Sequence, residues 1–284
     1  MEIINRRQRM FSLSRKLRRD GKVIGLVPTM GALHDGHLSL IRKARQMCDV
    51  VIVSIFVNPT QFNEISDFDA YPKDLTADSS MLANLSVDYI FAPSADEIYG
   101  PNFKTFVTVD DLSEKLEGSS RPGHFRGVST VVSILFNTIR PDVGFFGQKD
   151  AQQVALIKRL TFDLGFEAEI VVLPIVREDN GLAMSSRNER LTPEQRSAAG
   201  IINQALLKAS RAAQEGESNA SKIAEIVRNT IESEPLGNID YVAVVDNATL
   251  EPIEKISQSA VLIAVAVRFG EVRLIDNIVL GDQE

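Results

Sequence analysis

Residues 23–47 read VIGLVPTMGALHDGHLSLIRKARQM. Val23–Pro28 is an apolar run of strand length, and His37–Met47 carries apolar residues at helical spacing. A short segment with two glycines, Gly31 and Gly36, separates the two. A strand, a glycine loop and a helix in this order are typical of α/β proteins, in which loop N–H groups and the positive end of the helix dipole bind a phosphate.

Strand-like and helix-like runs continue to alternate up to about residue 176. This alternation predicts an α/β fold with a Rossmann-like parallel sheet and helices on both faces. The strand-like runs are apolar throughout, as expected for central strands of a parallel sheet. The predicted strands are Val23–Pro28, Val50–Val57, Asp88–Phe91, Val143–Phe146 and Glu169–Val176, and the predicted helices are His37–Met47, Leu75–Leu85, Val128–Ile139 and Ala151–Leu164.

The pattern changes after Val176, where helix-like runs come first and strand-like runs follow. We therefore expect a Rossmann-like domain at residues 1–175 and a smaller α+β domain at residues 176–284. Thr192 and Pro193 are residue types that cap and begin a helix. The predicted elements are helices at Pro193–Ala213 and Ala220–Ser233 and strands at Ile239–Val245, Ala260–Val267 and Arg273–Val279, the last two forming a hairpin around Phe269-Gly270-Glu271.

The first 19 residues are basic and predict an amphipathic surface helix. A mitochondrial transit peptide has a similar composition, but a predicted strand begins at Val23 without an intervening spacer or cleavage site. The apolar positions of the predicted helix are Ile3, Ile4, Met10, Phe11, Leu13 and Leu17.

The composition excludes several classes of protein. The chain has 284 residues, one cysteine, three histidines and a net charge of −7. Because Cys48 is alone, an internal disulfide and a cysteine-built zinc site are excluded, and a reducing, cytoplasmic location is expected. The acidic charge gives no support for binding nucleic acid or an anionic membrane. No apolar run approaches the roughly 20 residues of a membrane helix.

Two histidines, His34 and His37, stand at the entrance of the first helix. Gly31 and Gly36 have the spacing of a Walker A loop, but His37-Leu38 occupies the place of its Lys-Ser/Thr pair. Paired histidines there can stabilise negative charge that develops on phosphorus. The alternatives are a tight turn with two capping histidines, or a zinc pair, for which the chain has few further ligands.

His34-Asp35-Gly36-His37 is the H-x-G-H signature of nucleotidyltransferases and class I aminoacyl-tRNA synthetases, and the chain resembles the pantoate–β-alanine ligase family over essentially its whole length. Two positions depart from that family's pattern: Gln148 replaces its usual glutamate and Lys73 its usual arginine. The further segments that carry the resemblance are Asn58-Pro59-Thr60-Gln61-Phe62, Asp69-Ala70-Tyr71-Pro72, Arg121-Pro122-Gly123-His124-Phe125-Arg126-Gly127-Val128, Phe146-Gly147-Gln148-Lys149-Asp150-Ala151-Gln152-Gln153 and Met184-Ser185-Ser186-Arg187-Asn188.

The resemblance implies a two-step ligation. The carboxylate of (R)-pantoate attacks the α-phosphate of ATP, which gives pantoyl adenylate and pyrophosphate. The amine of β-alanine then displaces AMP to give pantothenate. The resemblance also implies Mg²⁺ with ATP, a homodimer, and a C-terminal domain that closes over the ATP site.

The matching positions imply roles for individual residues. His37, His34, Lys149 and Arg187 would be catalytic, and Lys149 would place a point charge on the phosphates. Asp150 would bind the ribose hydroxyls and Val176 the adenine through its backbone. The full ATP-binding set is Pro28, Thr29, Met30, Gly31, His34, Gly36, His37, Gly147, Lys149, Asp150, Val176, Met184, Ser185, Ser186 and Arg187. Gln61, Gln153, Met30 and Phe62 would bind pantoate, and Asp78 is the candidate protein ligand for Mg²⁺.

Plainer interpretations remain for these residues taken singly. Lys149 alone would be a solvated surface lysine, Asp150 a helix cap, and each glutamine a surface side chain. Val50–Val57 and Val128–Ile139 suit either a dimer interface or the core. Other functions also remain open: a nucleotidyltransferase, which would not need Gln61 and Gln153, a synthetase-like RNA-binding module, and a binding protein without activity.

Overall fold

The computed structural model describes residues 1–63, 68–69, 71–257 and 260–281. The chain divides into two compact units. The first comprises Met1–Gly147 and Leu156–Leu173, and the second comprises Gln148–Ala155 and Pro174–Glu284. Ala70, within the Asp69–Pro72 motif, lies outside the described residues.

A parallel sheet organises the first unit, as predicted. Among the described residues it has six strands: β1 Glu2–Ile4, β2 Ile24–Thr29, β3 Val50–Ile55, β4 Tyr89–Phe91, β5 Val143–Gly147 and β6 Glu169–Leu173. Their order across the sheet is β1-β4-β3-β2-β5-β6, and every pairing is parallel. The longest register joins β2 to β3, from Ile24 opposite Val50 to Thr29 opposite Ile55.

Helices cover both faces of this sheet. The helices up to residue 163 are α1 Arg7–Arg19, α2 Asp35–Met47, α3 Leu75–Ala83, α4 Ala95–Tyr99, α5 Glu117–Ser120, α6 His124–Ile139 and α7 Ala151–Asp163, with 3₁₀ turns at Pro59–Gln61 and Gln148–Asp150. Of these, Gln148–Ala155 belong to the second unit. Buried residues of α2 pack with Phe145. A side chain at the adjacent Gly144 would meet Phe136 of α6 at 3.3 Å. Because neighbouring strand residues point to opposite faces, α2 and α6 lie on opposite sides of the sheet.

Two segments that suited either a core or an interface belong to the core of the chain. Val51, Ile52 and Val53 of β3 are fully buried, and nearly all residues of α6 are buried. The β-branched residues of α6 therefore pack within this unit. No helix in the described part of the chain has the length and apolar character needed to cross a membrane.

The predicted N-terminal helix is wrong in its first residues. Ile3 and Ile4 lie in β1, opposite Ile90 and Phe91 of β4, and only Ile4 is buried. The helix begins at Arg7, and Met10 is its buried apolar residue. A strand of three residues is too short for the spacing of its apolar residues to distinguish it from a helix.

The second unit is an α+β module, as predicted. Its antiparallel sheet runs in the order β7-β8-β9, with strands at Gly237–Asp246, Val261–Phe269 and Val272–Leu280. β8 and β9 form the predicted hairpin, in which Phe269 faces Val272. The helices are α8 Pro193–Ala198, α9 Ile201–Gln214 and α10 Ala220–Glu232, and a 3₁₀ turn spans Ser186–Arg190.

The single helix predicted at Pro193–Ala213 is wrong, because α8 and α9 are separate. The side-chain amide of Asn180 donates to the Arg196 carbonyl at 2.7 Å. In a continuous helix that carbonyl would accept from the N–H of Gly200. The Gly200 N–H bonds instead to the Ser197 carbonyl. The long-range contact from Asn180 thus accompanies the break.

Candidate active site

The glycine loop, Met30–Leu33, lies at the carboxyl end of β2 in the middle of the sheet. β2 has β3 on one side and β5 on the other. After β2 the chain adds β3 and then β4 on one side, and later β5 and β6 on the other. Ligand sites of open α/β sheets lie at the carboxyl ends of the strands where the order reverses in this way. The topology therefore places the loop where a ligand is expected.

Two side chains hold the backbone of this loop. The Asp78 carboxylate, on α3 and 3% exposed, accepts from the N–H groups of Ala32 at 3.1 Å and Leu33 at 2.9 Å. The Thr29 hydroxyl donates to the Ser54 carbonyl at 2.8 Å and accepts from the N–H of Gly31 at 3.2 Å. Both carboxylate oxygens of Asp78 are therefore engaged by the loop.

His34 and His37 cap α2 reciprocally. Nδ1 of His34 accepts from the N–H of Gly36 at 3.2 Å, and Nδ1 of His37 accepts from the N–H of His34 at 3.3 Å. The two rings are adjacent, with centroids 4.1 Å apart. A ring nitrogen that accepts from an N–H carries no proton, so a neutral ring here carries its proton on Nε2. Each ring can thus donate through Nε2 while Nδ1 fixes its orientation.

The His34 ring packs closely against the backbone of Gly36. A Cβ at this position would lie 2.9 Å from both Nδ1 and Cε1 of His34. Any side chain would push the ring from the position in which it caps the helix. The glycine of the H-x-G-H signature is therefore explained by the close approach of the ring.

The Pro59–Gln61 turn follows β3 and is built around Asn58, which is 1% exposed. The amide of Asn58 donates to Oε1 of Gln61 and to the Gly127 carbonyl, both at 3.1 Å. Its Oδ1 accepts from Thr60 and from the Tyr99 hydroxyl. Burial raises the pKa of Tyr99. This network fixes the side chain of Gln61.

Gln61 lies against the glycine loop. Its Nε2 is 2.9 Å from the sulfur of Met30, so two predicted pantoate-binding residues are in contact. The Gln61 carbonyl is 2.8 Å from Nδ1 of His124. Phe62, the next residue, makes edge contacts with the rings of Phe68 and Tyr71. The Gln61 amide therefore lies against the loop, and the next residue begins an aromatic cluster.

The second unit contains the Lys149 turn, Gln148–Asp150, which leads into α7. The ammonium of Lys149 is 3.7 Å from a carboxylate oxygen of Asp150, and its side chain is 20% exposed. The carbonyls of Gln148 and Lys149 each accept from the side-chain amide of Asn277 at 3.0 Å. Gln153 lies one turn further along α7 and is partly buried.

The predicted ATP loop, Met184–Arg187, emerges from a short hairpin. The N–H of Met184 donates to the Val176 carbonyl at 2.9 Å, and Arg177 bridges to Ala183. Ser185 caps the following 3₁₀ turn by accepting from the N–H of Arg187 at 3.3 Å. The carbonyl of Val176 is thus already bonded within the hairpin.

Two carboxylates hold this hairpin. Asp276 on β9 is 3% exposed, and its carboxylate accepts hydrogen bonds from both terminal guanidinium nitrogens of Arg177, at 2.6 and 3.0 Å. Glu178 accepts from Asn188 at 2.7 Å and from Arg196 at 2.7 and 2.9 Å. The hydrogen bonds from Arg196 hold the pKa of Glu178 below its usual value. Both ends of the predicted ATP loop are therefore fixed.

The predicted site residues form one group in each unit. The first unit brings together the H-x-G-H loop, Met30, Gln61 and Phe62. The second contains the Lys149 turn, Gln153 and the hairpin with its loop. Sequence reasoning did not assign roles to several residues that hold these groups. They are Asn58, Tyr99, Arg177, Glu178, Asp276 and Asn277; of these, only Asn58 lay in a recognised motif.

A family model described as pantoate-beta-alanine ligase matches residues 2–279. The pantothenate synthetase of Heliobacterium modesticaldum is 52% identical over 280 residues, which cover 99% of each chain. That of Thermotoga neapolitana is 50% identical over 281 residues, which cover 99% of this chain and all of its own.

Solved structures give the same result for the fold. The crystal structure of pantothenate synthetase from Thermus thermophilus superposes with a TM-score of 0.90 at 39% identity, covering 98% of this chain and 99% of that one. The pantoate-beta-alanine ligase of Francisella tularensis, crystallised with beta-gamma ATP and beta-alanine, gives a TM-score of 0.80 at 38% identity. That match covers 98% of this chain and 97% of the other.

Proposed function

This chain belongs to the pantoate-beta-alanine ligase family, and we propose that its H-x-G-H loop and its Lys149 turn both act in the activation of pantoate by ATP. The enzyme ligates (R)-pantoate and β-alanine to pantothenate through a pantoyl adenylate, and releases AMP and pyrophosphate. The observation that carries the proposal is the reciprocal cap, because it fixes the orientation of both rings and puts the proton of a neutral ring on Nε2.

The first step needs donors more than it needs a protein nucleophile. A pantoate carboxylate oxygen attacks the α-phosphorus, and the bond from that phosphorus to the bridging oxygen of pyrophosphate breaks. Negative charge builds on the phosphoryl oxygens as this happens. Donors that are already oriented stabilise such charge without reorganising during the reaction. His37 and His34 supply Nε2 donors of this kind, at the positive end of α2.

Lys149 and Arg187 are proposed to supply positive charge to the phosphates. Lys149 offers a point charge, whereas the guanidinium of Arg187 offers a planar fork that suits phosphate oxygens. Ser185, Ser186 and Met184 would contact ATP from the same loop. Gly147, Asp150 and Val176 would bind its ribose and adenine.

Pantoate has a carboxylate, two hydroxyls and a gem-dimethyl group. The amides of Gln61 and Gln153 can donate to and accept from the oxygens. Met30 and Phe62 offer apolar surface to the methyl groups. The support for this assignment is that the Gln61 amide contacts Met30, that Phe62 is the next residue along the chain, and that Asn58 fixes Gln61.

The described residues do not fit a protein-built magnesium site. Both oxygens of Asp78 accept loop N–H groups, and the carboxylate is 3% exposed. Within the described part of the chain, no three His, Cys, Asp or Glu side chains cluster as metal ligands. Mg²⁺ that accompanies ATP would be held by phosphates and water, so no step is assigned to a protein-bound ion. Asp78 instead maintains the shape of the loop.

The enzyme is further proposed to be a homodimer that works in the cytoplasm. The dimer rests on the family resemblance alone, since β3 and α6 are buried within the chain. The location rests on the biosynthetic reaction and on Cys48, which is buried and unpaired. A monomer mass in sedimentation equilibrium would contradict the dimer.

Isotope exchange tests the adenylation mechanism directly. The purified chain should exchange labelled pyrophosphate into ATP when pantoate is present and β-alanine is absent, because the first half-reaction is reversible. Without pantoate the exchange should vanish. Folded protein that shows no pantoate-dependent exchange would rule out the adenylate route.

Gly127→Ala should weaken pantoate binding. A Cβ on Gly127 would lie 2.5 Å from the Thr60 carbonyl oxygen and 2.8 Å from the Gln61 nitrogen. Since both are backbone atoms, the turn must move, and overpacking of this kind costs about 1–3 kcal/mol of stability. We expect a lower Tm and a KM for pantoate raised by roughly tenfold, about 1.4 kcal/mol.

Ser129→Ala is the matched control, because Ser129 lies on the same helix and is also buried. It adds no volume and removes a hydroxyl that has no hydrogen-bond partner among the described residues. It should leave the KM for pantoate unchanged. Equal KM values in the two variants would show that the position of the turn does not matter for pantoate.

A further inference from the structure

Asn277 occupies an unusual place for an amide. It lies within β9 opposite Ala264 of β8, and it is 4% exposed. Its Nδ2 donates to the carbonyls of Gln148 and Lys149, and its Oδ1 accepts from Nε2 of Gln148, all at 3.0 Å. Both of its donors and its acceptor are thus used on one turn. A buried amide is tolerated only when it is satisfied in this way.

Its neighbour Asp276 is equally buried and serves the other segment. Besides binding Arg177, Oδ1 of Asp276 accepts from the N–H of Asn277 at 2.8 Å. A continuous chain of hydrogen bonds therefore runs from Arg177 through Asp276 and Asn277 to the Lys149 turn. All of these residues belong to the second unit.

The strand itself does not require these polar residues. Asp276 lies opposite Val265 and Asn277 opposite Ala264, so neither has a polar side chain as its cross-strand partner on β8. Buried polar groups that are fully paired with one loop specify the position of that loop. The partners here are backbone carbonyls of the turn that presents Lys149.

We propose that Asn277 is a positioning residue for adenylation, which holds the backbone of the Lys149 turn so that the ammonium is aimed at the phosphates of ATP. Through Arg177, Asp276 on the same strand holds the base of the hairpin that leads into the Met184–Arg187 loop. One β-strand thereby keeps two ATP-binding segments in a fixed relation. The inference rests on the proposed role of Lys149.

The physical argument concerns freedom of movement. A lysine side chain has four rotatable bonds, and its direction is defined only if its backbone is fixed. A displacement of about 1 Å from a mutation outside the chemistry can lower a rate by roughly 10²-fold. Asn277→Ala leaves the turn without its three hydrogen bonds, so adenylation should fall by roughly 10- to 100-fold.

Asn277→Asp separates the hydrogen bonds from the volume. It preserves size, but two carbonyl oxygens would then face a carboxylate oxygen that cannot donate to them. This variant should lose adenylation at least as strongly as Asn277→Ala. Asn238→Ala, an exposed asparagine on the same sheet, is the control and should retain activity.

The experiment measures both half-reactions. Pyrophosphate exchange measures adenylation. The formation of pantothenate from β-alanine and synthetic pantoyl adenylate measures ligation. The Asn277 variants should lose pyrophosphate exchange. Their ratio of adenylation rate to ligation rate should match that of Lys149→Ala. The double variant Asn277→Ala/Lys149→Ala should be no slower than Lys149→Ala alone, because residues that act as one unit are not additive.

Three results would overturn the proposal. Full exchange by Asn277→Ala would show that the turn needs no support. Equal loss of both half-reactions, with a matching loss of folded protein by circular dichroism, would show a purely structural role. Normal exchange by Lys149→Ala would refute the role of Lys149, and the positioning proposal with it.

Discussion

His37→Ala should lower pantoate-dependent pyrophosphate exchange by about 10²- to 10³-fold, the usual result of removing one oriented donor from a developing oxyanion. The side chain has two separable functions in the structure. Nδ1 accepts from the His34 N–H, and Nε2 carries the proton of the neutral ring. Alanine removes both, so this variant alone does not distinguish catalysis from loop geometry.

Two replacements separate those functions. Asparagine can place its amide oxygen where Nδ1 lies, so His37→Asn should keep the helix cap but lose the outward donor. Glutamine reaches further, so His37→Gln can place a donor where Nε2 lies. We expect His37→Asn to be as slow as alanine while retaining the Tm, and His37→Gln to recover part of the rate. Near-normal exchange by His37→Asn would show that the histidine only caps the helix.

Lys149→Ala should cause a loss of the same order, for the same electrostatic reason. Its control is Lys158→Ala, an exposed lysine on α7, which should change neither rate nor stability. Salt should not mimic the effect, because Lys149 is largely buried and screening acts mainly on exposed charges.

The fold was predictable wherever a local pattern existed. The β2–loop–α2 unit, the parallel sheet and the β8–β9 hairpin all follow from apolar period, length and turn residues. The failures came from long-range contacts. Ile3 pairs with Ile90, and Asn180 takes the carbonyl that would have continued a helix through Gly200. Neither partner is visible from the neighbouring sequence.

The candidate site shows the same division. Motifs identified the residues proposed to touch substrate, because those residue types recur at fixed spacing. They did not identify the residues that hold them. Asp78 was the candidate magnesium ligand, yet both of its carboxylate oxygens accept hydrogen bonds from backbone N–H groups of the loop. Asn277 lies in an apolar strand, more than 120 residues from its partners in sequence, and no periodicity marks it.

Arg177→Ala should destabilise the protein by about 3–5 kcal/mol, the usual cost of removing one partner of a buried ion pair. Asp276 is 3% exposed, so the variant leaves its carboxylate buried without the guanidinium that pairs with it. The Arg177 side chain is 24% exposed, so water can enter the space it leaves. We therefore expect the loss of stability to lie at the lower end of this range. Urea unfolding followed by circular dichroism measures the change.

Two further variants distinguish the buried charge from the lost contacts. Arg159→Ala breaks an exposed pair with Asp163, whose side chains are 57% and 42% exposed, and should cost at most about 1 kcal/mol. Arg177→Met combined with Asp276→Leu removes both charges and keeps apolar volume, so it should recover most of the lost stability. We nevertheless expect this double variant to be slow in adenylation, because the hairpin that leads into the Met184–Arg187 loop has lost the ion pair at its base. A double variant as unstable as Arg177→Ala would show that the unpaired carboxylate is not the cause.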